Sequence, residues 1–152
     1  MAVNVVWFKR DLRFTDHAPL ELALKSDEPT LMIYVIEPTL LRNPHYRGRH
    51  WQFIAQSLED LQCAAEALGH RIEVLEGDAV DVFNEVHRKL GITRLLSYEE
   101  TGLDLTFKRD QAGSKVLPIS GYRVARIPNQ RSRTRPAGSK RLESVMAPVH
   151  DC

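Results

Sequence analysis

Short runs of β-branched and aromatic residues alternate with longer amphipathic segments over the first hundred residues, and few folds accommodate that rhythm. Val3–Phe8 (VNVVWF), Thr30–Ile36 (TLMIYVI), Arg71–Leu75 (RIEVL) and Ile92–Tyr98 (ITRLLSY) read as buried strands. Asp16 is placed to cap a helix from His17 to about Lys25, with Pro19 in its first turn, where a missing N–H is harmless. A loop runs from Thr39 to Arg47. Trp51, Ile54, Leu58, Leu61, Ala65 and Leu68 then recur at steps of three and four, which gives one apolar helix face, and Gly69 stops the helix. Gly77-Asp78 opens another helix, with Val82, Phe83, Val86 and Leu90 inward and Gly91 as its stop. A further helix is expected at Phe107–Ala112. Strands and helices in this alternation build an α/β fold: a doubly wound, Rossmann-like parallel sheet with helices on both faces.

The pattern fails from Gly113 onward. Residues 1–112 carry 13 Lys+Arg against 18 Asp+Glu, a net of −5; residues 113–152 carry 8 against 2, a net of +6. The second segment is rich in Arg, Ser, Pro and Gly, and sustains neither strand nor helix periodicity. Such sequence buries too little apolar surface to offset chain entropy. The expected organisation is a folded domain at 1–112 and a basic, disordered tail at 113–152. One strand-like patch, Gly121–Ile127, stands out within the tail.

Several classes are excluded. Cys63 and Cys152 are the only cysteines and suggest no disulfide framework or CxxC site. No apolar run approaches the ~20 residues of a membrane span, and the N-terminus lacks the marks of a signal peptide, so a cytoplasmic setting is expected. Neither GxGxxG nor GxxxxGK[ST] occurs. His45 and His50 flank a helix start, but no Cys/His/Asp set has metal-ligand spacing. No catalytic constellation is visible. Ligands of open α/β sheets bind beyond the carboxyl ends of strands, which points to three loops. The first holds Arg10, Asp11 and Arg13, the second Arg42, Arg47 and Arg49, the third Glu99 and Glu100. Solvated charges and local ion pairs are the ordinary role of such residues.

The run VVWFKRDLRFTDHAPL resembles the opening signature of the DNA photolyase/cryptochrome family, roughly WFRxDLRxxDNxxL. Trp7, Phe8, Arg10, Asp11, Leu12, Arg13, Asp16 and Leu20 match, while Lys9 replaces the usual Arg and His17 the usual Asn. Tyr34–Pro38, Phe53–Leu61 and Tyr98–Asp110 resemble later family segments in the same order. The resemblance implies the N-terminal α/β antenna domain, with strand order 3-2-1-4-5 and an antenna chromophore (a folate, a deazaflavin or a flavin). The family's FAD site, DNA groove and electron-relay tryptophans belong to a separate helical domain. The chain is therefore expected to be a truncated, non-catalytic domain without an FAD site. The missing helical domain is its natural partner, and DNA is not an expected partner. The stretch Leu105–Lys108 departs from one family folate pattern.

Strand five of the family falls after residue 112, so a four-stranded sheet ordered 3-2-1-4 is expected, its fifth strand missing and the fourth exposed at an edge. A residual chromophore site is expected between strands one, two and four, lined by Phe8, Lys9, Arg10, Asp11, Ile36, Glu37, Glu99 and Glu100. Plausible codons for Ser114 onward, read one base displaced, give VKFCQSVGIEWHEFPTNGVVRG, similar to the family's continuation; a frameshift near Ala112–Gly113 is thus expected. Two rival readings are a self-standing flavodoxin-like binding or electron-transfer module and a nucleic-acid adaptor acting through the basic tail. The tail has only Tyr122 as an aromatic, which disfavours base stacking.

Overall fold

The computed structural model describes residues 2–99 and 123–128. The elements run β1 (Val3–Phe8), α1 (Ala18–Leu24), β2 (Thr30–Ile36), α2 (Pro38–Leu41), α3 (Gly48–Ala67), β3 (Ile72–Glu76), α4 (Ala79–Leu90), β4 (Ile92–Tyr98) and β5 (Arg123–Ile127). They form one five-stranded sheet, ordered β3-β2-β1-β4-β5, in which every pairing is parallel.

Side chains of a strand alternate between faces, and β1 shows the consequence. Val3, Val5 and Trp7 join Ile33, Val35 and Leu95 under Ala79 and Phe83 of α4. Val6 and Phe8 join Met32, Tyr34 and Leu96 on the other face, under Leu20 and Ala23 of α1 and Leu61 and Ala65 of α3. Because both faces are covered, all six β1 residues are buried, Asn4 included. The Asn4 amide is satisfied there: it donates to Ser26 Oγ at 3.0 Å and accepts from Arg94 Nε at 3.0 Å. The unbroken apolar reading of this segment is that of a two-sided interior strand.

Three strands match their expected bounds, and α4 ends at Gly91 in the left-handed conformation, φ 71°. Four departures carry physical content. First, the fifth strand is present. Arg123–Ile127 pairs with β4 from Arg94↔Arg123 to Tyr98↔Ile127, and Glu99 N–H continues the ladder to the Ile127 carbonyl at 2.9 Å. β4 is therefore interior, not an exposed edge. An edge strand needs few apolar residues: Val124 packs on one face and Ala125 on the other. A periodicity test over a long window passes over so short an element. It coincides with the patch Gly121–Ile127, beyond residue 112. Second, the segment after β2 contains a short helix, α2, with Pro38 in its first turn. Third, Leu68 at the end of the expected α3 stripe is 62% exposed, because the helix has already ended at Ala67. Fourth, Cys63 on α3 is disulfide-bonded. The helix expected at Phe107–Ala112 also lies outside them.

Candidate functional site

The carboxyl edge of the sheet carries two adjoining places of opposite character, one filled and one open. Strand order reverses between β1 and β4, the position where open α/β sheets usually leave a crevice. Here the chain fills it with its own side chains. Asp16 takes a positive φ of 52°, which turns the β1–α1 loop so that His17, rather than Asp16, occupies the N-cap of α1. His17 Nδ1 accepts the Leu20 N–H at 3.1 Å. Asp16 instead offers its carbonyl to Arg13 and to the Tyr98 hydroxyl, both at 3.3 Å. That hydroxyl in turn accepts the Ala18 N–H at 2.9 Å. The His17 ring sits between Phe8 and Tyr98, with centroids 4.8 Å and 5.1 Å away.

His17 Nε2 is hydrogen-bonded to Asp11 Oδ2, and both side chains are buried. Since Nδ1 acts as an acceptor, the ring proton is assigned to Nε2, which donates to the carboxylate. Asp11 Oδ1 accepts the Lys9 N–H at 3.0 Å. Burial pushes the Asp11 carboxyl up; the hydrogen bond and electrostatic attraction of His17, with the N–H groups of Lys9 and of Asp11 itself, outweigh this and hold it below its ordinary value.

The open place lies between the ends of β1 and β2, under the first turns of α3. It is a cavity of about 500 Å³, within the size range of small-molecule sites. Trp7 and Phe8 from β1 and Tyr34 and Val35 from β2 form its floor. Trp7 is held edge-on against Phe83, centroids 4.9 Å apart. Leu12, Leu40 of α2 and Ile54 of α3 add apolar wall, and Phe53 lines the mouth while 68% exposed. The polar lining consists of Lys9, Arg10, Glu37, His45, Tyr46 and His50. Lys9 Nζ lies 4.3 Å from the Trp7 ring centroid and donates to the Tyr98 carbonyl at 3.1 Å. Arg10 donates to the Tyr46 hydroxyl at 3.2 Å, and the Tyr46 ring sits 6.0 Å from His50 and 5.5 Å from Trp51. Among the described residues, two cations, two imidazoles and one carboxylate, Glu37, thus line a cavity with aromatic walls.

Of the residues marked in the sequence, Phe8, Lys9, Arg10 and Glu37 come together on this cavity. Asp11 turns inward to His17 instead. Ile36 packs beside the core face of α1 and α3, Glu99 is exposed at the end of β4, and Glu100 lies outside the described residues. Arg42, Arg47 and Arg49 do not line the cavity. Tyr46, His50 and Phe53 were not marked as ligand contacts. Phe53 had a signal: an aromatic lying off the apolar stripe of its own helix. Among the described residues, no group of three or more His, Cys, Asp or Glu could hold a metal ion, and no helix is long and apolar enough to cross a membrane.

Comparison with known proteins agrees with the fold. A family model described as DNA photolyase matches residues 4–130, a span that includes β5. The chain is 32% identical over 121 residues to cryptochrome-2 of Gallus gallus, and 30% identical over 125 residues to cryptochrome-1 of Mus musculus. It covers only 21% and 20% of those proteins, while 80% and 82% of this chain is matched. Its fold superposes on a Synechocystis cryptochrome at a TM-score of 0.76 with 23% identity, covering 83% of this chain and 27% of that one. A class III photolyase from Agrobacterium tumefaciens gives 0.76 with 24% identity, over 85% and 26% of the two chains. An archaeal photolyase from Sulfolobus tokodaii, described with two FAD molecules and the implication of a novel light-harvesting cofactor, gives 0.74 with 24% identity, over 84% and 29%. The chain spans about a fifth of its curated relatives, as an α/β unit, and it belongs to the DNA photolyase family.

Proposed function

We propose that this domain is the antenna-chromophore module of its family, and that a planar ligand binds in the cavity between β1 and β2. The observation that carries the reading is the cavity of about 500 Å³ between Trp7, Tyr34, Tyr46 and Phe53, with Lys9 and Arg10 at its edge. Aromatic walls stack on a flat heteroaromatic ring. Cations receive a phosphate or carboxylate tail, and Glu37 receives a ring N–H. A flavin, a deazaflavin or a folate each presents such a ring with an anionic tail. The Sulfolobus tokodaii photolyase, described with two FAD molecules and the implication of a novel light-harvesting cofactor, favours a flavin among the three.

When bound, the chromophore would absorb light and pass the energy to a partner flavin. The chain's own residues hold the ring, exclude water from its floor and fix its tail. Repair of a DNA lesion would fall to an FAD-binding helical region of the family. Fluorescence titration of the purified chain with FMN, a deazaflavin and a folate tests the reading. One of the three should bind, and Phe53→Ala with Tyr46→Ala should weaken it about tenfold or more, the loss of one or two stacking contacts. Binding of none, or binding indifferent to both changes, would reject it.

The basic segment after Gly113 bears a separate proposal, a shifted reading frame. The change from net −5 to net +6 supports it. β5, built from Arg123–Ile127 as they stand, weighs against a shift upstream of that strand. The nucleotide sequence decides: stops in the displaced frame would end the idea.

A further inference from the structure

The cavity and the filled switch point share one chain of hydrogen bonds. Leu20 N–H donates to His17 Nδ1, His17 Nε2–H donates to Asp11 Oδ2, and Lys9 N–H donates to Asp11 Oδ1. Lys9 is the last member; its ammonium lies over the Trp7 ring and donates to the Tyr98 carbonyl, and Lys9 and Trp7 both line the cavity. We infer that the buried His17–Asp11 pair is a positioning relay that fixes Lys9, and through Lys9 makes the cavity select anionic over neutral planar ligands. The inference rests on the ligand reading above and names the ligand charge class that the site prefers.

The geometry supports this on three counts. An imidazole offers an acceptor and a donor on opposite sides of one rigid ring, so a single side chain caps α1 and ties the loop together. The ring cannot slide, because Phe8 and Tyr98 flank it. The carboxylate is acceptor-only when ionised, and its two oxygens are divided between His17 and the Lys9 backbone. Arg13 lies over the Tyr98 ring, 5.9 Å from its centroid. Free rotation of the β1–α1 loop at Lys9 would let its long side chain seek solvent. The relay removes that freedom before a ligand arrives, and preorganisation of this kind strengthens binding by lowering the ordering cost.

FMN and riboflavin share one ring system and differ by a phosphate, so their affinity ratio reads the contribution of the charges on the cavity, and its change in a Lys9 variant reads Lys9. The full chain should bind FMN about tenfold or more tighter than riboflavin, as expected for one charge-assisted contact. Lys9→Met should lower the ratio several-fold or more, Arg10 remaining on the cavity. His17→Ala, with its fold checked by circular dichroism, should lower the ratio several-fold and leave riboflavin affinity unchanged. His17→Asn should restore it, because an amide also pairs an acceptor with a donor. A ratio that His17→Ala or Lys9→Met leaves unchanged overturns the relay. If neither flavin binds, the ligand reading fails first, and NMR of the unliganded chain tests the relay by itself. His17 should then show an unprotonated Nδ1, and the Lys9 amide resonance should move in His17→Ala. A protonated Nδ1 or an unmoved Lys9 amide would overturn it.

Discussion

Two neighbouring places on the same sheet edge have been used in opposite ways. Between β1 and β4, where the topology leaves a crevice, buried Asp11 and His17 with Tyr98 close it by satisfying one another. Between β1 and β2, where the topology leaves none by itself, α3 stands off far enough to leave a cavity lined by aromatic rings. The difference teaches that a switch point marks where a sheet can open, while the side chains decide whether it does. At the closed place polar atoms are paired and dry, so substitutions there should cost stability. At the open place the rim is solvated, so substitutions should cost binding.

The largest expected effect belongs to the residue the two places share. Phe8 is fully buried, packs in the core face of α1 and α3, and also lines the cavity. Phe8→Ala should lower stability by about 3–5 kcal/mol, the usual loss for a buried aromatic, and urea unfolding will measure it. A loss near zero would mean that the shared floor is not a packed core.

The closed place comes next. His17→Ala leaves a buried carboxylate and the Leu20 N–H without their partner, and should cost about 1–3 kcal/mol. The pH dependence should follow Asp11. Its carboxyl is held below the ordinary value, so its contribution is present above about pH 3.9, the ordinary aspartate value, and is lost as pH falls through the lower folded value. The stability gap between the natural chain and Asp11→Asn should therefore be widest near neutrality and shrink in acid. A gap that widens below pH 4 would contradict the pairing with His17.

The open place should respond in the other currency. Tyr46→Phe removes the hydroxyl that accepts from Arg10, and should cost at most about 0.5–1.5 kcal/mol of stability, the worth of one ordinary hydrogen bond. It should quicken release of a bound chromophore, which stopped-flow fluorescence will resolve. The smallest stability effect is expected at Phe53, which is 68% exposed. Phe53→Ser should change stability by no more than about 0.5 kcal/mol, yet weaken ligand binding. Equal losses of stability at His17 and at Phe53 would erase the contrast between the two places.

Much of this architecture is legible in the residues. Val3–Phe8, Thr30–Ile36 and Ile92–Tyr98 are strands with the bounds their composition gives, because each is a two-sided apolar run ended by charge or proline. Asp78 caps α4 as its position suggests, accepting the Val80 N–H at 2.9 Å. Local rules reach less far where two neighbours compete for one role. Asp16 and His17 are adjacent candidates for the cap of α1, and a preference scale favours Asp. His17 takes it because burial between Phe8 and Tyr98, with Asp11 to receive its second nitrogen, rewards an imidazole there. β5 was obscured for the converse reason. Its five residues gain their stability from pairing with β4, a partner distant in sequence, so locally RVARI reads as no more than a strand-like patch.

Sequence by itself therefore determined the fold class, the interior strands, the family and part of the cavity lining. Periodicity and short motifs encode which face of an element must be hidden, and that is a local property of the chain. Tertiary structure decided that β5 completes the sheet, that Asp11 pairs with His17, and that Tyr46, His50 and Phe53 reach the cavity. Those outcomes depend on the distance between segments far apart in the chain, which residue order alone does not specify.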